Sequence, residues 1–383
     1  MLALNYRGPY RVRVEEKQDP RIEHPNDVVL RVVRTTICGS DLHLYHGYIP
    51  DSRVGMTLGH EFTGVVEELG SSVESLKIGD RVVVPFNVAC GTCFYCQRQM
   101  TSLCDNANPC SSLAGGFFGY SHTTGGYDGG QAERVRVPYA DVGPMKIPDD
   151  MTDEEVLFLS DIVPTGYEAA ELGNIRPQDT VAVFGCGPVG LVAQRSAQLL
   201  GANRVIGLDY VAERLAFARK FAQSETVDLR EIKDPIGHLR KITDGRGPDV
   251  CIDAVGLEAD GSKLHDVLGK YLKIQAGAPT TINWSIDAVR KGGTVVLIGV
   301  YGPPWNLVNI GAAMNKGLNL QMGQCNVKRH MPHLLVHIRA GRFDAKALIS
   351  HRFPLAEAEE AYRLFDSRKD GVIKCVLIPK GQA

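Results

Sequence analysis

No stretch of the 383-residue chain reads as a bilayer-spanning segment. The longest uncharged apolar run, Val181 to Ala193, is broken by Gly185, Gly187, Pro188 and Gly190, and is shorter than the roughly 20 residues a spanning helix needs. An excess of one charge is also missing. With 42 Lys and Arg against 44 Asp and Glu, the formal charge is −2, so no overall field favours nucleic acid or a membrane, and neither is an expected partner. Solenoid-type repeats are absent, and 44% hydrophobic with 22% charged residues excludes a disordered polypeptide. Met1 to Arg7 turn polar before an apolar stretch of leader length develops, so the expected location is cytoplasmic. The ten cysteines do not form a disulfide framework: five crowd into Cys90 to Cys110, too close together to hold a chain of this length.

The length exceeds the roughly 250–300 residues at which one core stops growing, which implies two domains. The first 160 residues carry β-rich runs such as Val28–Val33 and Arg81–Val84, separated by Gly, Pro and Asp turns, as in a barrel-like domain. From about Pro164 strand and helix alternate. Strands are expected at Thr180–Gly185, Arg204–Asp209, Val250–Ala254 and Thr294–Gly299, with a helix at Val211–Gln223, which implies a parallel sheet covered on both faces. After Leu320 the pattern is mixed: helices near Pro332–Ala340 and Leu355–Phe365, then a strand at Val372–Ile378.

Gly185-Cys186-Gly187-Pro188-Val189-Gly190 fits the dinucleotide fingerprint, with a strand before it, a helix after it, and Asp209 19 residues beyond the last glycine. A backbone bare of side chains lets a pyrophosphate approach a helix N-terminus, while Asp209 would accept hydrogen bonds from ribose hydroxyls and repel a 2′-phosphate. NAD is therefore the expected cofactor. Arg214, five residues on, is the counter-signal.

Cys90, Cys93, Cys96 and Cys104 offer four thiolates from one lobe, a set that suits a closed, structural zinc site. Only Arg98 is basic between them, so a nucleic-acid-binding zinc module lacks its electrostatics. Cys110 is left over as an ordinary thiol. His330, His333 and His337 are expected on a polar helix surface.

Cys38-Gly39-Ser40-Asp41-Leu42-His43 and Gly59-His60-Glu61, taken with the cysteine lobe and the glycine motif, resemble the zinc-dependent medium-chain alcohol dehydrogenases over nearly the whole chain. The resemblance implies an α/β chain in which a Rossmann doubly wound sheet, residues 163–320, is inserted into a GroES-like catalytic domain, residues 1–162 and 321–383. It implies two Zn2+ per chain, NAD(H), a small alcohol or aldehyde substrate, and a homotetramer or homodimer. By position, Cys38, His60 and Asp161 match the catalytic-zinc ligands. Aspartate at the third place resembles the glutathione-independent formaldehyde dehydrogenase and formaldehyde dismutase group, and Pro85-Phe86-Asn87-Val88-Ala89-Cys90 strengthens that likeness. Glu61 is the rival third ligand, or a reserve ligand behind the ion. Polyol and threonine-type dehydrogenases are the alternative within the class, and an inactive nicotinamide-binding regulator the alternative outside it.

The chemistry the resemblance implies is hydride transfer to nicotinamide, with Ser40 and then His43 carrying the released proton and His46 a close alternative to His43. Phe86 would line the substrate pocket. Thr165 would approach the nicotinamide from a ThrGly turn, and Lys374 would reach the pyrophosphate.

Overall fold

The computed structural model describes residues 1–256, 280–301 and 307–382. The chain forms two compact units, Met1–Pro164 with Cys325–Ala383, and Thr165–Gln324. The junctions thus fall two and four residues beyond those expected at 162 and 320. The second shift has a plain cause: Asn319–Met322 pairs parallel with Thr294–Leu297 and completes the sheet of the inserted unit.

In the first unit, seven strands form one mainly antiparallel sheet. Its spine is Val28–Thr36, which pairs with Phe62–Leu69, Arg134–Val137 and the late strand Lys374–Ile378. Val28, Leu30, Val32 and Phe62 are fully buried, as β-branched and aromatic residues on an inward face should be. A second cluster joins Leu4, Ile37 and Leu44 to Tyr362, Phe365 and Leu377, so the C-terminal helix Ala358–Ser367 and the strand after it complete the N-terminal core. Emptying one large site in such a core costs about 3–5 kcal/mol for Phe→Ala.

Among the described residues, the inserted unit is built on a six-stranded parallel sheet. Its spatial order runs Glu225–Asp228, Arg204–Asp209, Thr180–Phe184, Val250–Asp253, Thr294–Leu297, Asn319–Met322. In chain order that is 3-2-1-4-5-6, the doubly wound arrangement with its switch point beside the first strand, and the expected Rossmann sheet is present. The strand Arg204–Asp209 has the expected bounds, and the helix after it runs Ala212–Phe221.

Two helices depart from expectation. Val327–Arg339 starts five residues before Pro332, which lies inside it, and His330 on it is fully buried rather than on a polar surface. Thr165 and Gly166 lie in the first turns of the helix Ile162–Leu172, not in a turn. Gly166 is required there because a Cβ would sit 2.6 Å from Val192 side-chain carbons of the neighbouring helix. Among the described residues no helix is long and apolar enough to cross a membrane.

Candidate metal centre and dinucleotide loop

Cys38 lies two residues beyond the sheet's spine and caps the helix Gly39–Tyr45, and Asp41 in the first turn accepts the Cys38 N–H at 3.0 Å. His60 and Glu61 lead into the strand Phe62–Leu69, and Asp161 follows the short helix Leu157–Ser160. The Cys38 Sγ, a His60 ring nitrogen and oxygens of Glu61 and Asp161 all lie within 4.8 Å of one another, and all four residues are buried. Asp161 Oδ2 is 3.5 Å from Cys38 Sγ and 3.2 Å from His60 Nε2, and Ser40 Oγ is 3.3 Å from the same nitrogen.

The electrostatics of this cluster ask for a cation. Burial pushes the Cys38 thiol up, and the Asp161 and Glu61 carboxylates push it further. Burial opposes protonation of His60, but Asp41 and Asp161 outweigh it and hold the imidazolium well above its ordinary value. Burial raises Glu61 to about 7 even against the attraction of Lys374. Among the described residues Glu61 Oε2 is buried without a hydrogen-bond partner, whereas Oε1 is 2.5 Å from Lys374 Nζ. Lys374 cancels the charge of Glu61, so a metal that displaced the Cys38 and His60 protons would meet Cys38 and Asp161 as the two anions and a neutral His60 as the third donor. That donor set fits a divalent ion of zinc's preferences.

Lys374 has a partner that the sequence did not announce. The side chain is fully buried, its ammonium donating to Ile37 O at 2.8 Å and to Glu61, because Lys374–Ile378 pairs back onto the spine beside Cys38. It is the counter-ion of Glu61 in this structure. His43 is buried and its Nδ1 lies 3.3 Å from the Tyr120 hydroxyl, while His46 is tied to Asp366 at 2.7 Å. Phe86 meets the His60 ring edge-on at 6.0 Å between centroids and packs on Phe117. Sequence reasoning assigned no role to Asp41, whose Oδ1 is 3.3 Å from His60 Nδ1, although an acidic residue three positions after a cap was the available signal.

The lobe of Cys90, Cys93, Cys96 and Cys104 also brings its four sulfurs within 4.8 Å of one another. The separations Cys90–Cys96 and Cys93–Cys104 are 4.0 and 3.9 Å. Sulfurs around a tetrahedral zinc with 2.3 Å bonds stand about 3.8 Å apart, so these residues fit the ion. Burial opposes ionisation of Cys90, but the Thr92 hydroxyl and the Thr92 and Cys93 amides outweigh it and bring the thiol down to about 6. Asn106 Nδ2 donates to the same sulfur at 3.3 Å.

In the inserted unit the glycine loop joins Thr180–Phe184 to the helix Pro188–Leu199. Gly185 has φ +95°, which a side chain would strain. Gly190 is packed so tightly that a Cβ would fall 1.9 Å from Gly185 O. Gly187, Pro188 and Val189 are partly exposed at the helix start. Asp209 accepts the Cys186 N–H at 2.7 Å and the Val211 N–H at 2.8 Å, which fixes its carboxylate at the end of its strand, and Arg214 lies against Gly187.

Residues 24–149 match the alcohol dehydrogenase GroES-like domain, and residues 188–274 match the zinc-binding dehydrogenase domain. A zinc-type alcohol dehydrogenase-like protein of Bacillus subtilis is 43% identical over 381 residues, covering 99% of this chain and 100% of the relative. The chain belongs to the zinc-type alcohol dehydrogenase family. A glutathione-independent formaldehyde dehydrogenase of Pseudomonas aeruginosa is 40% identical over 338 residues, covering 86% of this chain and 82% of its own length. Among solved structures, an alcohol dehydrogenase of Thermus sp. ATN1 has a TM-score of 0.86 at 36% identity, covering 99% of this chain and 100% of its own. As a zinc-type alcohol dehydrogenase-like oxidoreductase, the chain combines the expected GroES-like and Rossmann folds.

Proposed function

We propose that this alcohol dehydrogenase transfers a hydride between a small alcohol or aldehyde, formaldehyde among them, and NAD. One zinc ion is held by Cys38, His60 and Asp161, and a second by Cys90, Cys93, Cys96 and Cys104. The observation that carries the reading is the buried convergence of Cys38, His60, Glu61 and Asp161 within 4.8 Å, with Glu61 already neutralised by Lys374. Zinc bound there would supply Lewis acidity, which makes an alcohol proton easier to lose.

The chain's own groups then place and move that proton. Ser40 Oγ stands beside His60 Nε2 and takes the proton from the substrate hydroxyl. His43, hydrogen-bonded to Tyr120, is the acceptor further along in place of His46, whose ring is engaged by Asp366. Phe86 walls the His60 side with an apolar ring that keeps bulk water off it. The glycine loop and Asp209 hold the cofactor, with Asp209 favouring NAD over its 2′-phosphorylated form, and Thr165 and Arg214 beside it. Identity of 40% to a formaldehyde dehydrogenase supports a small aldehyde or its alcohol as substrate.

The test is zinc content together with nicotinamide absorbance across a panel of small alcohols and aldehydes. Two zinc equivalents and reduction of NAD are expected, with one equivalent lost in Asp161→Ala and both kept in Glu61→Gln. Retention of both ions in Asp161→Ala with loss in Glu61→Gln would overturn the ligand set.

A further inference from the structure

We propose that Gln131 is a positioning residue for the catalytic metal centre: its amide, aimed by the Tyr362 hydroxyl, holds the Asp41 carboxylate so that Asp41 fixes the ring orientation and tautomer of His60. The proposal rests on the zinc reading above. Gln131, Asp41 and Tyr362 are fully buried and His60 nearly so, so each polar group must find its partner inside the protein.

Gln131 Nε2 donates to Asp41 Oδ2 at 3.1 Å and to Thr36 O at 3.0 Å, and its Oε1 accepts the Tyr362 hydroxyl at 2.8 Å. This amide orientation follows from chemistry. Turned over, the carbonyl oxygen would face a carboxylate and a backbone carbonyl, two acceptors with no proton to share. Burial, reinforced by the nearby Asp41 charge, raises the Tyr362 phenol well above its ordinary value, so it remains a neutral donor.

With Asp41 Oδ2 occupied by the Cys38 and Gln131 N–H groups, Oδ1 is left for His60. Asp41 Oδ1 and His60 Nδ1 are both buried without a hydrogen-bond partner among the described residues, and they face each other at 3.3 Å. An acceptor-only carboxylate requires the proton on Nδ1, which leaves the Nε2 lone pair for the metal. The backbone makes room for this arrangement. Gly59, the residue before His60, has φ +91°, and a Cβ there would lie 2.3 Å from Gln131 Cγ, so the glutamine stem crosses directly over the ligand-bearing turn. Gln131 N also donates to Leu58 O at 3.0 Å, anchoring the segment from the other side.

The experiment follows loss of zinc from the full-length holoprotein to a chelator with a chromogenic indicator. The four-cysteine ion serves as an internal reference. Gln131→Met is expected to speed loss from the Cys38 site severalfold, less than the roughly 10–100-fold cost of losing the histidine's own outer partner because Gln131 acts through Asp41, while leaving the reference phase unchanged. Tyr362→Phe keeps the amide but removes what aims it, and is expected to fall between the parent and Gln131→Met. Cobalt substitution supplies a second readout, since a rotated imidazole alters the visible d–d spectrum without requiring turnover. Should Gln131→Met also disturb the reference phase, Tyr362→Phe decides: a parental loss rate and cobalt spectrum overturn the proposal. Unchanged loss from Gln131→Met overturns it directly. A parent that takes up only the four-cysteine ion overturns the zinc reading itself, a distinguishable failure.

Discussion

Replacing Lys374 by Met discriminates between two roles for this side chain. Its ammonium lies at full burial, 2.5 Å from Glu61 Oε1 and 2.8 Å from Ile37 O, and Glu61 is fully buried as well. Removing one partner of such a pair strands the other charge, at a cost of about 3–5 kcal/mol. Glu61 already stands at about 7 with the lysine present, so without it the carboxyl is driven upward and takes a proton. The expected result is a loss of several kcal/mol in denaturant unfolding of the zinc-free protein at pH 8. The double variant Glu61→Gln with Lys374→Met should recover part of that loss, because it leaves no uncompensated carboxylate. The cycle of four proteins isolates the pair, with a coupling of at least about 1 kcal/mol expected for two groups in direct contact. A refuting outcome is equally concrete. Parental stability for Lys374→Met, accompanied by a raised Michaelis constant for NAD, would return the lysine to the cofactor and break the charge count at the metal centre.

Two further outcomes follow from the geometry. Because burial and neighbouring carboxylates hold Cys38 protonated, and Asp41 and Asp161 hold His60 protonated against its burial, zinc entering their site should release about two protons at pH 7, and its affinity should climb about 100-fold per pH unit. Calorimetry in buffers of different ionisation enthalpy counts them, and release of fewer than one would contradict the assignment. Asp209→Asn should weaken NAD binding by tenfold or more and NADP binding far less, read by fluorescence titration; equal losses would remove the carboxylate from cofactor choice.

Local chemistry was written openly in the chain wherever neighbours in sequence remain neighbours in space. The cysteine lobe and the glycine loop are of this kind, since each is built within 15 consecutive residues or fewer and its requirements, tetrahedral thiolates or a side-chain-free turn, fall on adjacent positions. The role of Lys374 was hidden because it depends on a strand returning to the spine across 313 residues from Glu61, a pairing that no periodicity announces. Gln131 and Tyr120 were invisible for the same reason, being loop residues whose partners lie 90 and 77 positions away. Pro332 misled differently. It suits the first turn of a helix, yet here the helix begins at Val327 behind the Asn326 cap, so the proline sits within it.

The return of the C-terminal strand also carries a consequence for biosynthesis. Tyr362 and Lys374, which brace Gln131 and Glu61, emerge from the ribosome only after the whole inserted unit has been made. The nascent N-terminal half therefore holds its buried carboxylates without their counter-charge and its spine strand without one neighbour, and the inserted unit is free to fold first. Vectorial synthesis thus sets the order of assembly, with the metal centre becoming complete last.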